Sequence, residues 1–196
     1  MNYLAHVTLC EPTGEARVGA LLGDFGRRLD VERLTPAMRF ALDEHRDLDR
    51  WFDAHPLVRE ERQRYPEHLR RFAGILLDVF ADHVLVRNWD RMSEEPLDAV
   101  TSSLYGALRE HRDRLPPRLA RIAPMMSSDD WLASYGEVEN VGRALRGMAS
   151  RMRRPTPLAE GVSELERRGD EIEDVVLRVW PEARQWITDR RRRMGR

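Results

Sequence analysis

The chain has 196 residues, 41% of them hydrophobic, enough to build a core and too many for a disordered segment; its length predicts one compact domain over 1–196. Charged side chains are frequent at 34%, yet 33 basic residues nearly cancel 34 acidic ones, leaving a formal charge of −1. That balance argues against a general nucleic-acid binder, and no apolar run approaches the roughly 18–20 residues that a membrane span needs. Every basic residue is arginine. Two readings fit, a coding bias of the genome and recognition of phosphate or carboxylate through bidentate forks; composition does not separate them.

In chain order, helical periodicity dominates and strand signals are scarce, so the expected class is all-α. Helices are expected near 2–10, 16–28, 36–54, 56–64, 66–92, 95–113, 116–124, 128–150 and 157–194. Breaks fall at Pro12-Thr13-Gly14, before Pro36, at Pro56, Pro66 and Pro96, at Pro116-Pro117 and at Pro155/Pro157, because proline suits a first turn and disrupts an interior. Thr35-Pro36 reads as an N-cap with proline at the first helical position, and 127–130 (SSDD) as a cap for the segment starting at Trp131. The start MNYLAHVTLC lacks the cationic region of a signal peptide. Lone Cys10 excludes an internal disulfide, fits a reducing cytosol and has no adjacent base to make it a nucleophile. The closing RRRRMGR reads as a solvated cationic tail.

Chemistry is signalled by charges where a core belongs. Between Ile75 and Val86 the only polar side chains are Asp78, Asp82 and His83, so this helix is buried on most faces. Asp78 and Asp82 are four apart and project from one side, with His83 on the flank. Two buried like charges need compensation. A divalent cation supplies it, and so does an arginine from a neighbouring helix. On 40–56, His45 and Asp49 share the face that carries Leu48 and Phe52; such a pair chelates an ion, supports a ligand, or forms a core hydrogen bond. Asp24 lies among apolar neighbours in VGALLGDFGRR, whose glycines permit close packing. His6 in NYLAHV faces either the core or a site, whereas His55, His68 and His111 read as surface residues. Phosphate-loop, GxSxG, HExxH and paired-cysteine motifs are absent.

MNYLAH, GALLGDF, the series His45-Arg46…Asp49…Asp53…Pro56, LDVFADH, and DWL followed by GMASRMRRP resemble the acyl carrier protein phosphodiesterases, in order from residue 1 to about 160. That family is similar to the helical HD-domain metal phosphohydrolases but departs from their His-Asp order, as does Asp82-His83 here. Phe52 stands where the family pattern leads one to expect threonine. The resemblance implies hydrolysis of the phosphodiester that links 4'-phosphopantetheine to a serine of holo-acyl carrier protein, with manganese, or else magnesium, as the ion. With such an ion, the buried charges point to Asp24, His45, Asp78, Asp82 and His83 as metal ligands, to Asp24, Asp49 and His6 as catalytic residues, and to Arg46, beside His45, as a phosphate contact. Arg151, Arg153 and Arg154 would then dock the acidic carrier protein. A metal phosphohydrolase of a nucleotide or other small phosphodiester, and a non-catalytic helical module, are the alternatives.

Overall fold

The computed structural model describes residues 1–26 and 29–195. Twelve α-helices follow one another among these residues, with no strand. They are α1 (Tyr3–Leu9), α2 (Gly14–Leu22), α3 (Pro36–Ala54), α4 (Pro56–Gln63), α5 (Glu67–Arg70), α6 (Ala73–Arg87), α7 (Trp89–Met92), α8 (Leu97–Glu110), α9 (Pro117–Ser128), α10 (Trp131–Ser134), α11 (Val138–Ala149) and α12 (Val162–Arg193). The fold is all-α, as the periodicity predicts. A continuous apolar core takes side chains from Met1 through Ile187. Among the described residues no helix is long and apolar enough to cross a membrane.

Local chemistry fixes several boundaries as expected. Thr13 and Thr35 accept hydrogen bonds from the amides of Ala16 and Met38, at 3.2 Å each, and so cap α2 and α3. Elsewhere the boundaries differ. The expected helix 16–28 stops at Leu22, passes through a tight turn over Gly23–Phe25, and leaves it at Gly26 with φ +153°, a conformation that only glycine adopts freely; positions 27 and 28 lie outside the described residues. The expected helix 66–92 is three helices. Asn88 ends α6, its side-chain amide donating to the Val84 carbonyl at 3.0 Å in competition with helical pairing. Pro124 sits inside α9 rather than ending it, so Ser127 and Ser128 belong to that helix and the 127–130 stretch does not cap α10 through a side chain.

α1 lies across α2 and α6, α2 packs on α3 and α8, and α12 runs over α6 while touching α3 and α4. The α2–α3 contact is close because Gly19 has no side chain: a Cβ there would lie 2.2 Å from the Met38 carbonyl oxygen. Backbone cannot yield as a side-chain tip can. Gly19→Ala is expected to cost at least about 1–3 kcal/mol of stability, read as a lower urea midpoint at unchanged slope.

The C-terminal arginines are only partly a solvated tail. Arg190 is buried against Asp47 (2.6 Å) and over the Phe40 ring. Arg191 forks onto Glu44 at 2.7 and 2.8 Å and donates to the Leu9 carbonyl at 2.8 Å. Arg192 and Arg193 remain exposed. Pairing with carboxylates on α3 overrides the charge repulsion that favours fraying.

Candidate active site

Two buried imidazoles and a carboxylate meet where α1 crosses α3. His45 and Asp49, one helical turn apart on α3, face His6 of α1, and one ligand atom from each of the three lies within 4.8 Å of the others. The His6 and His45 rings stack with centroids 3.6 Å apart. Gly23 makes room for this: a Cβ there would sit 2.1–2.4 Å from His45 ring atoms. Asp24 follows in the turn after α2, and Asp78 approaches from α6. The imidazoles are buried while Asp24, Asp49 and Asp78 keep some exposure, so the cluster opens to solvent on its carboxylate side.

Hydrogen bonds assign the protons. The Ala20 carbonyl lies 2.7 Å from Nδ1 of His45 and can only accept, so Nδ1 carries the hydrogen and the lone pair of a neutral ring is on Nε2. That nitrogen faces Oδ2 of Asp49 at 3.2 Å. Two acceptors at this separation call for a proton or a cation between them. Nε2 of His6 lies 3.0 Å from Oδ1 of Asp49 and 3.2 Å from the Met1 carbonyl, and the opposite nitrogen is buried without a partner among the described residues.

Burial, with His45 alongside, pushes His6 down to about 3, so its ring is neutral and available as a ligand. Burial works against ionisation of Asp49, but hydrogen bonds with His45 and His6 hold it well below the usual carboxylate range. Asp24 is pushed up to about 6 by burial, and its Oδ2 is buried with no hydrogen-bond partner among the described residues. The α-ammonium of Met1 lies 3.1 Å from carboxylate oxygens of both Asp49 and Asp78. Burial opposes its charge, but those two carboxylates prevail and raise it to about 11. Asp49 thus touches the ammonium and both imidazoles, Asp78 touches the ammonium, and Asp24 is near enough to feel the charge of His45. The excess of negative charge and the oxygen-plus-imidazole donor set fit a hard divalent cation such as manganese or magnesium.

Other expected site residues are placed elsewhere. Asp82 projects from the same side of α6 as Asp78, but its oxygens accept from Nδ2 of Asn2 (2.9 Å) and the amides of Leu4 (2.9 Å) and Ala5 (3.0 Å). It caps the start of α1, and so fixes the helix that carries His6. His83 is one residue on, about 100° round the helix, and donates from Nδ1 to the Tyr135 carbonyl at 2.7 Å. It is not part of the His6–His45–Asp49 group. Arg46 is likewise rotated off the His45 face and pairs with Asp43 at 3.5 Å on the outer surface. Arg153 and Arg154 are exposed beyond α11, as is Arg151, which reaches a trough beside Tyr3. His55, expected on the surface, is 9% exposed between Trp51 and Glu182; His68 is exposed and His111 half-buried.

Two further residues flank the cluster. Tyr3 stacks on Phe25 at 5.6 Å, and burial, then the Asp24 carboxylate, pushes its phenol up to about 12. Arg118 lies over the other partner of that stack, 5.2 Å from the Phe25 centroid. Spacing offered a sign for Tyr3, three residues before His6 on one face of α1; exposed Arg118, far away in the chain, offered none.

Comparison with known proteins identifies the family. A family model described as "Acyl carrier protein phosphodiesterase" matches residues 1–183. A Serratia proteamaculans protein of that name is 32% identical over 97% of this chain and 99% of its own length. Namesakes from Salmonella agona and Escherichia coli O45:K1 are 31% and 32% identical over 92% of this chain and 94% of theirs. No solved structure matches the chain. By coverage and identity alike, this chain belongs to the acyl carrier protein phosphodiesterase family.

Proposed function

We propose that the protein hydrolyses the phosphodiester joining 4'-phosphopantetheine to a serine of holo-acyl carrier protein, releasing the apo-protein and free 4'-phosphopantetheine, in a reaction that depends on a divalent cation. The observation that carries the cation dependence is the convergence of His6, His45 and Asp49, one ligand atom from each lying within 4.8 Å of the others, with His6 neutral. His6, His45 and Asp49 would hold the ion, with Asp24 and Asp78 adjacent. When bound, a divalent ion acidifies water and neutralises phosphate charge.

The chain's own groups do the rest. The Ala20 carbonyl fixes the His45 tautomer and ring plane. Asp24, one of whose oxygens is buried and unpartnered among the described residues, would take a proton from the attacking water. Arg118 and Arg151 exert a cationic field on Tyr3 beside Asp24 and would hold the phosphate. Arg153 and Arg154 present charge to an acidic carrier surface.

Mass spectrometry of holo-carrier protein incubated with manganese is expected to show conversion to the apo form, blocked by chelator and restored by excess metal. Absence of conversion with manganese or magnesium, alongside turnover of a nucleotide, would move the protein to the small-phosphodiester alternative. Arg153→Glu with Arg154→Glu is expected to raise KM for holo-carrier protein several-fold at low ionic strength, an effect that fades as the Debye length falls to about 8 Å near 0.15 M salt.

A further inference from the structure

We infer that the trough between α9, α10 and α11 seats the pantetheine arm of the substrate, an assignment that rests on the carrier-protein activity proposed above. The trough encloses about 320 Å³, within the ~300–1,000 Å³ typical of small-molecule sites. Its floor is one stripe of α11 and the residues just after it, Asn140, Ala144, Gly147, Met148 and Arg151, spaced as a single helical face. At 1.5 Å per residue that stripe is about 16 Å long. An arm of pantoate, β-alanine and cysteamine units spans roughly 15–20 Å when extended, taking ordinary backbone bond lengths.

Charge sets the direction. Tyr3 lines the trough with Arg151; it stacks on Phe25, the residue after Asp24, and stands one turn before His6 on α1. This end therefore adjoins the His6–His45–Asp49 cluster and carries the cation for a phosphate. The two other charged residues lining it, Arg143 and Asp129, offset one another. A ligand with one phosphate at one end and an uncharged amide-and-methyl tail matches that pattern; a polyphosphate does not. The opposite wall is apolar and set in advance. Met125 stands 58% exposed, and Trp131 follows Asp130, a non-glycine residue at φ +39°. Tyr105 holds that turn by donating to Oδ1 of Asp130 (3.1 Å) and accepting from the Leu132 amide (3.0 Å).

The test compares holo- and apo-carrier protein binding in chelator, where no turnover occurs. Wild-type protein is expected to bind the holo form at least about ten-fold more tightly, the arm being the only difference. In Gly147→Leu the added side chain occupies the floor, and its Cβ meets only the mobile Nη1 of Arg151, at 3.3 Å. The holo advantage is expected to shrink to about two-fold or less; an advantage kept at ten-fold overturns the assignment. Carrier protein loaded with a diazirine-bearing pantetheine, photolysed on the wild-type chain, gives a readout that needs no variant. Adducts at Tyr3 or within residues 125–151 support the trough, and adducts elsewhere overturn it. If wild-type protein converts holo to apo carrier but fails these two tests, the trough alone is wrong. If it neither binds nor converts holo carrier, the carrier-protein reading fails and the trough with it.

Discussion

Asp49→Asn is expected to lower turnover by about 100- to 1,000-fold, the range seen when a group that orders a metal or transition-state charge is removed. Asparagine keeps the shape of Asp49 and can still meet both histidines, its oxygen accepting from His6 and its amide donating to Nε2 of His45, so what is lost is the negative charge and the oxygen facing His45. Activity alone would not identify the cause. A saturating ligand at 100 times its Kd stabilises the folded state by about 2.7 kcal/mol, which for a chain of this size raises Tm by roughly 5–10 °C. Wild-type protein should show that rise with manganese and Asp49→Asn should not. Asp82→Asn separates the two aspartates by the same measurement. With its α1 cap weakened, it should unfold earlier without metal yet retain the manganese-induced rise. A variant at Asp82 that lost the rise would restore that residue to the ligand set; an Asp49→Asn protein that kept it would remove Asp49.

The contrast between these aspartates shows where sequence reading works and where it stops. Four-residue spacing correctly put His45 and Asp49 on one inward face of α3, because helix geometry alone decides it. The same rule put Asp78 and Asp82 on one side of α6, and both do reach the start of α1. Spacing could not say that one would meet the Met1 ammonium and the other a row of amides, since that depends on how α1 lands. Immediate sequence neighbours misled for a related reason. His83 beside Asp82, and Arg46 beside His45, are about 100° away on the helix and serve the Tyr135 carbonyl and Asp43 instead. His6 joined the site through tertiary packing, although its apolar surroundings were consistent with any buried role. Helix ends were least legible where a proline sat mid-helix, as Pro124 does in α9, and where Gly26 turned the chain.

Arg191→Ala is expected to destabilise the protein by about 3 kcal/mol, a cost that a solvated terminal arginine would not have. Glu44 is 3% exposed on α3, next to His45, and depends on the Arg191 fork for two hydrogen bonds at 2.7 and 2.8 Å. Removing the fork leaves a buried carboxylate whose remaining ion pair among the described residues is with Arg190, 3.5 Å away, which keeps the loss at the low end of that for broken buried pairs. The same guanidinium closes the C-terminal end of α1 through the Leu9 carbonyl, so α1 and α3, the helices carrying His6 and His45, loosen together. Urea unfolding should place Glu44→Gln/Arg191→Met closer to wild type than Arg191→Ala, because the double variant leaves no unpaired buried charge. A change below about 0.5 kcal/mol in Arg191→Ala would mean that the C-terminal helix does not brace the site, and that His6 and His45 are held in their stack by the core alone.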